Sequence, residues 1–515
     1  VQTLADLILY NGKIITLDEE DRIVEAVAVN KGEIIAVGTN QEIKEFMTDN
    51  TYKLNLEGKT VVPGFIDSHV HFVQTGLNKL FLNFTGVNSQ EEMLDLIRNK
   101  AEKLVDGEWI YGVGFDENNF ANLQLPTRWQ LDKIASDNPV WLSRIDCHSC
   151  VLNSKALKLL NISQSILGLD KDRSGRLTGI IRNKANFKVR NWILDNIHYK
   201  KRVKALQIAT KLALEAGITT IHSMEGGGLF SELDLKLLLE VKEKNPLDIV
   251  VFNQTMDVER VLNLGLNRIG GCIALDGSIG SRTAALKEPY ADDPTQDFQL
   301  YHFQRRINKF VTKAHKEGLQ IAVHAIGGQA INQILKAYEV AQKKYPRDNP
   351  KHRIEHGELI DQQQINKARE LGVTLSIQPA FDYYWGGSDG MYGTRLGARR
   401  AKRTNPYRNI IDAGCLIIGG SDSDVTPMNP LLGIHGAVNH SNPEQQLTIK
   451  EALKLFTINA ARATSEEDIK GSIEVGKVAN FTILNQDLLA VSKEKIKDIK
   501  VIKTIINGKI HYSRC

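Results

Sequence analysis

Three times in the middle of this chain a helical stretch halts at a glycine and passes directly into a run of apolar residues. "INKFVTKAHKEG" leads into "LQIAVHAIGG", "KARELG" into "VTLSIQP", and "IIDAGC" into "LIIGGSDSD". In the first of these, Ile307, Phe310, Val311 and Ala314 fall at helical spacing before Gly318. A helix that returns the chain to a buried strand of the same direction is a crossover connection, and repeated crossovers build a parallel sheet. Eight candidate strands can be marked, at 65–71, 218–224, 249–255, 272–276, 319–325, 352–357, 373–379 and 416–422. Eight strands favour closure into an α/β (β/α)8 TIM barrel over an open, doubly wound sheet.

About 145 residues separate the first and second candidate strands, far more than one βα unit needs. Residues 73–199 are therefore expected to form an inserted lobe over the barrel mouth, leaving 61–72 and 200–470 as the barrel. The two ends of the chain resemble each other instead. "LILYNGKIITLD" and "VIKTIINGKIHY" are short strands around Asn11-Gly12 and Asn507-Gly508, both hairpin signals, as Lys31-Gly32 also is. Residues 1–60 and 471–515 are expected to make one small β-sandwich from both termini.

Composition excludes several functions. With 42% hydrophobic and 24% charged residues the chain is globular. Lys and Arg number 65 against 61 acids, so no nucleic-acid footprint is visible, and the basic run "LGARRAKR" reads as a solvated loop. No apolar run is long enough to span a bilayer. No secretory h-region opens the sequence, and five cysteines do not make a disulfide scaffold, so a reducing, cytoplasmic setting is expected. Cys147-His-Ser-Cys150 lacks the helix opening of a redox motif and the second pair of a zinc knuckle. No phosphate-binding glycine loop or serine elbow is present.

The chemistry gathers at strand ends. In "VVPGFIDSHVHF", His69 and His71 stand two apart, so in a strand both imidazoles aim at one point, as a metal requires. Chance supplies about a third of one such pair in a chain with this many histidines, so the pair alone decides little. The later strand ends decide more. Strand five brings His324, strand six His356, strand eight Asp422, and strand four Cys272 and Asp276. Barrels of this kind collect reactive groups at those ends.

The segments "PGFIDSHVHF", "VHAIGG", "HRIEHG", "GGSDSDVTPMNPL" and "GSIEVGKVANFTIL" together resemble the amidohydrolase superfamily. "PTRWQLDKIASDNPVWLSRIDCHSCVLNSKAL" and "LDGSIGSRTAALKEPY" are similar to its YtcJ-like branch, which includes N-substituted formamide deformylase. The resemblance implies one or two divalent metals, usually zinc. His69 and His71 would hold one with Asp422, and His324 and His356 a second. Many relatives carry a carboxylated lysine on strand four. The matching position is Cys272, which is favoured here as a zinc ligand because a thiolate binds zinc and D-aminoacylases use cysteine similarly. Two further departures are Gly328, where the branch usually has an acid, and Arg182-Asn183, where relatives often carry Lys or an acid.

The implied reaction uses a zinc-activated water to hydrolyse an amide or formamide-like C–N bond of a small molecule. Asp422 would move the proton from water to the leaving nitrogen. His148, Arg182, His222 and Glu225 are the expected substrate contacts. The same barrel can host an isomerase, deaminase or decarboxylase, or a non-catalytic metal-binding regulator, so these stay as alternatives. No nucleic-acid or membrane partner is expected, and a homodimer is compatible with the sequence.

Overall fold

The structure is a computed structural model describing residues 3–514 apart from 122, 164, 228–229 and 296–299; of Cys272 only the backbone is described. Eight parallel strands stand side by side in sequence order: β1 (Phe65–Val70), β2 (Ile218–Glu225), β3 (Asp248–Asn253), β4 (Arg268–Ala274), β5 (Gln320–Ala325), β6 (Arg353–His356), β7 (Thr374–Ile377) and β8 (Ile417–Gly419). The ring closes just past the end of β8. There Asp422 donates its amide to the carbonyl of His69 at 2.8 Å, and His71 donates to Ser423 at 2.7 Å. The (β/α)8 barrel read from the glycine-punctuated repeats is the observed architecture.

Local sequence explains why these pieces form. In the helix Gln304–Lys316, Ile307, Phe310, Val311 and Ala314 are buried, and Gly318 at φ +82° ends the run before β5. The β5 residues Ile321 to Ala325 are all buried, as a parallel strand between helices and barrel interior demands. A core of Val, Ile, Leu and Ala from strands and helices fills the barrel wall.

The termini form two further sheets. Leu7–Tyr10, Ala26–Asn30, Glu33–Gly38 and Tyr52–Asn55 make one; the other joins Lys13–Ile15, Ile23–Val24 and Thr60–Pro63 to three strands between Phe481 and Ser513. Thr60–Pro63 thus pairs within the sandwich, and the barrel begins at Phe65. Lys31-Gly32 and Asn507-Gly508 are two-residue hairpin turns with positive φ at both positions. Asn11-Gly12 is not: its flanking strands lie in different sheets, and only Asn11 has positive φ. Gly12 is needed there because a Cβ would collide with Leu56.

The inserted segment folds around a mixed six-stranded sheet running from Leu82 to Arg182, with its own apolar cores. It is anchored through the helix Phe72–Asn78, which packs against Tyr199–Glu215. Gly76 sits at that crossing, where a Cβ would strike the carbonyl of Ala205. Gly76→Ala is expected to lower stability by about 1–3 kcal/mol through overpacking, read from denaturant midpoints at constant slope. No helix among the described residues is long and apolar enough to cross a membrane.

Candidate metal centre and active-site chamber

His69 is the last but one residue of β1, and His71 lies just past the strand, preceding the helix Phe72–Asn78. Their rings meet edge to face with centroids 5.2 Å apart. Asp422, held at φ +51° just past β8, brings its Oδ1 to 3.2 Å from His69 Nε2 and 3.1 Å from His71 Nε2. Gly420 makes this approach available, since a Cβ there would lie 2.7 Å from the Cβ and backbone nitrogen of His69. All three side chains are buried.

The surroundings assign the ring protons. His71 Nδ1 lies 3.1 Å from the carbonyl of Met224, which only accepts, so Nδ1 donates and Nε2 keeps its lone pair. His69 Nδ1 lies 2.6 Å from Glu355 Oε2 and donates likewise. With the rings neutral, two imidazole lone pairs and a carboxylate oxygen converge on one point. That donor set suits a divalent metal bound by nitrogen and oxygen. His69, His71 and Asp422 form the one group among the described residues whose ligand atoms all lie within 4.8 Å of one another.

Glu355 is itself gripped by Arg353, through Nε at 2.7 Å and Nη2 at 2.9 Å. Arg353 also donates to the carbonyl of Ser68 at 2.6 Å and to Ser376 at 3.0 Å. Burial works to raise the Glu355 pKa, but Arg353 and His69 outweigh it and hold the carboxyl at about 2. This is the carboxylate–histidine arrangement that fixes a ligand's tautomer and orientation. His222 belongs to the same support. Its Nδ1 accepts from Arg353 at 3.1 Å, and burial with the arginine's charge keeps it neutral.

His222, expected to touch substrate, is therefore packed beneath the ligands inside the barrel. Glu225, expected in the same role, is also fully enclosed. It accepts from the Val73 amide at 3.1 Å and from Ser223 at 2.9 Å, and burial pushes its carboxyl up to about 8. Both were placed by their nearness to the end of β2, but their side chains turn to polar partners within the wall.

His324 and His356 do enter the chamber, with ring centroids 4.5 Å apart and His356 5.2 Å from His69. His356 Nδ1 meets Gln378 Oε1 at 2.7 Å, and His324 Nε2 points to the carbonyl of Gly277 at 3.2 Å. Neither nitrogen joins the close cluster around Asp422. Cys272 lies on β4, where Gly270 and Gly271 at φ +101° and +98° shift the strand's register, but its side chain falls outside the described residues. Asp276 accepts three backbone amides, from Ala285, Ile326 and Gly327, and so ties the loop after β4 to the loop after β5.

The inserted lobe closes the chamber. His148 reaches to 5.4 Å from the ring of His324. Beneath it Arg144 is enclosed by Asp116, Glu117 and Asp146 at 2.7, 2.8 and 2.9 Å. Burial disfavours the charge on Asp146, yet Arg144 holds that carboxyl well below its usual range. Arg182 lines a larger outer cleft between lobe and barrel rather than the inner chamber. Burial lowers its pKa. Inside, Glu358 faces the chamber with Tyr392 donating to it, and burial raises its carboxyl to about 7.

Sequence reasoning passed over Arg353, Glu355 and Glu358, although all three stand in "HRIEHGEL" beside His356. The signal was available: alternating charges on an apolar barrel strand must be buried, and buried charges must be paired.

A sequence profile described as Amidohydrolase family matches residues 54–512. The chain is 31% identical to the YtcJ protein of Bacillus subtilis (strain 168), covering 98% of this chain and 99% of that one. It is 25% identical to N-substituted formamide deformylase of Arthrobacter pascens, over 99% of each. Among solved structures, an uncharacterized metal-dependent hydrolase from Pyrococcus furiosus superposes with a TM-score of 0.74 at 30% identity, covering 94% of this chain and 99% of that one.

Proposed function

This chain belongs to the amidohydrolase family, and from that membership we propose that it is a zinc-dependent hydrolase cleaving the C–N bond of a small amide, formamides included. The observation that carries the reading is the convergence of His69 Nε2, His71 Nε2 and Asp422 Oδ1 on one point. When bound there, zinc supplies Lewis acidity toward water and carbonyl oxygen, with Cys272, His324 and His356 as further candidate ligands.

The chain's own residues do the rest. Asp422 takes the attacking water's proton and returns it to the leaving nitrogen. Glu355 holds the His69 proton on Nδ1, which would leave the Nε2 lone pair to a metal. His148, brought in by the lobe, donates to the substrate carbonyl, and Arg182 contacts the outer end of a longer substrate. The lobe excludes bulk water and so strengthens each polar contact inside. The buried thiols Cys147, Cys150 and Cys415 agree with a reducing, cytoplasmic setting.

The test is metal removal and return. Chelation is expected to abolish hydrolysis of N-formyl and N-acyl amines, and stoichiometric zinc to restore it, followed by release of formate or carboxylate with amine. Release of ammonia, or isomerisation without water uptake, points instead to deamination or isomerisation. Metal uptake without turnover of any amide identifies a binding protein.

A further inference from the structure

Asp146 stands where three pieces of the molecule meet. Just after it the chain turns through left-handed backbone at Cys147 (φ +61°), whose carbonyl accepts from the Asn186 side chain at 2.8 Å. The turn folds the Asp146 carboxylate back over the segment that follows, and Oδ1 accepts the backbone amide of His148 at 3.1 Å. An aspartate that bonds the amide two residues on is a common turn device. Here the other oxygen reaches outside the turn. Oδ2 accepts the hydroxyls of Ser278 at 2.5 Å and Ser281 at 2.6 Å, both from the loop after β4, and meets Arg144 Nη1 at 2.9 Å.

That loop is fixed from the barrel side as well. Asp276, two residues before Ser278, accepts the amides of Ile326 and Gly327 just past His324, and the Gly277 carbonyl lies 3.2 Å from His324 Nε2. A path of hydrogen bonds and short backbone therefore runs from the His148 amide through Asp146, Ser278 and Asp276 to the end of β5. The two imidazoles at its ends face each other across 5.4 Å. Arg395 makes a separate tie between the same parts, donating to the Asn118 side chain of the lobe at 2.8 Å and to the Gly280 carbonyl at 3.1 Å. The lobe is thus attached to this loop even without Asp146.

We propose that Asp146 is a positioning residue: with one carboxylate it sets His148 at the chamber and clamps the lobe to the loop after β4, so that His148 reaches the substrate only when the lobe is seated. The inference rests on the reading above of His148 as the donor to the substrate carbonyl. Both Asp146 oxygens are engaged by protein donors, so its effect on the reaction passes through His148.

The experiment uses two variants of the zinc-loaded full chain. Asp146→Asn keeps the side chain's shape but turns an amide N–H2 toward Arg144, which Asp116 and Glu117 still hold. Ser281→Ala removes one hydroxyl from the barrel side of the clamp. On the fastest-hydrolysed N-formyl or N-acyl amine, Asp146→Asn is expected to lower kcat by about 10–100-fold at unchanged zinc content, and Ser281→Ala by a smaller factor. In a His148→Ala background Asp146→Asn should cost less than about threefold, because a residue acting through His148 has nothing left to position. Additive losses overturn the proposal, and so does wild-type kcat in His148→Ala. Hydrogen exchange without substrate gives a readout independent of turnover. In Asp146→Asn, segments 145–150 and 277–285 should exchange about tenfold or more faster together, while the lobe strands Ile110–Phe115 and Val140–Arg144 keep their protection. Loosening of those strands as well identifies a merely structural residue, and unchanged exchange at both segments removes the clamp; either result overturns the proposal. Paired loosening with no hydrolysis of any amide refutes the reaction and leaves the placement of His148 by Asp146 standing; hydrolysis with additive losses does the reverse.

Discussion

Asp422→Asn is expected to lower kcat by roughly 10²–10⁴-fold, the range typical of losing a proton-transferring group. Because Asp422 Oδ1 also stands in the metal site, retained zinc is what isolates that role. Asp422 occupies left-handed backbone at φ +51°, a conformation that asparagine tolerates nearly as well as aspartate. The amide that reaches back to His69, which closes the barrel, is a backbone group and survives the change. His69 and His71 keep their tautomers because Glu355 and the Met224 carbonyl are untouched. Turnover measured beside zinc stoichiometry and circular dichroism checks the expectation. Activity within tenfold of wild type, with zinc bound, would remove Asp422 from the chemistry.

Glu355→Gln is expected to do broader damage. Arg353 is fully buried, and the substitution replaces the anion facing its charge with a neutral amide. Breaking one partner of such a pair costs about 3–5 kcal/mol. The same change removes the carboxylate that receives the His69 Nδ1 proton, and loss of such support typically costs roughly 10–100-fold in metal affinity. Thermal unfolding and competitive zinc titration should show both effects together. The pH dependence has a definite sign. The folded-state pKa of Glu355 is depressed from 4.5 to about 2, so its stabilisation is complete above the unfolded value and is lost as pH falls from about 4.5 through about 2. The variant should lose less stability than wild type across that window.

The architecture was legible because it is periodic. Helix, glycine and buried strand recur, and each repeat independently signals a crossover. The strand ends were legible because His69, His71, His324, His356 and Asp422 are residue types that apolar strands rarely carry without a reason. What escaped is the set of interactions made between elements distant in sequence. His222 and Glu225 look like substrate contacts in one dimension, yet which way each side chain turns depends on Arg353 and Val73, contributed by other strands and helices. Arg353 and Glu355 were unread for the same reason. Their pairing is local, but its purpose appears only when His69, some 286 residues away, is placed against it. Asn11-Gly12 shows the converse error: a dipeptide that favours a hairpin is overridden when its neighbours are recruited to separate sheets.

The two histidines come from the tip of the barrel's opening stave and the residue just past it, and the aspartate from just past its closing one. An ion seated among them works as a buckle across the join. A growing polypeptide has no complete seat for a metal until Asp422 has been made and the last stave has swung into place beside the first. A metal that needs all three ligands would therefore fasten a finished ring rather than guide the first turns of its construction.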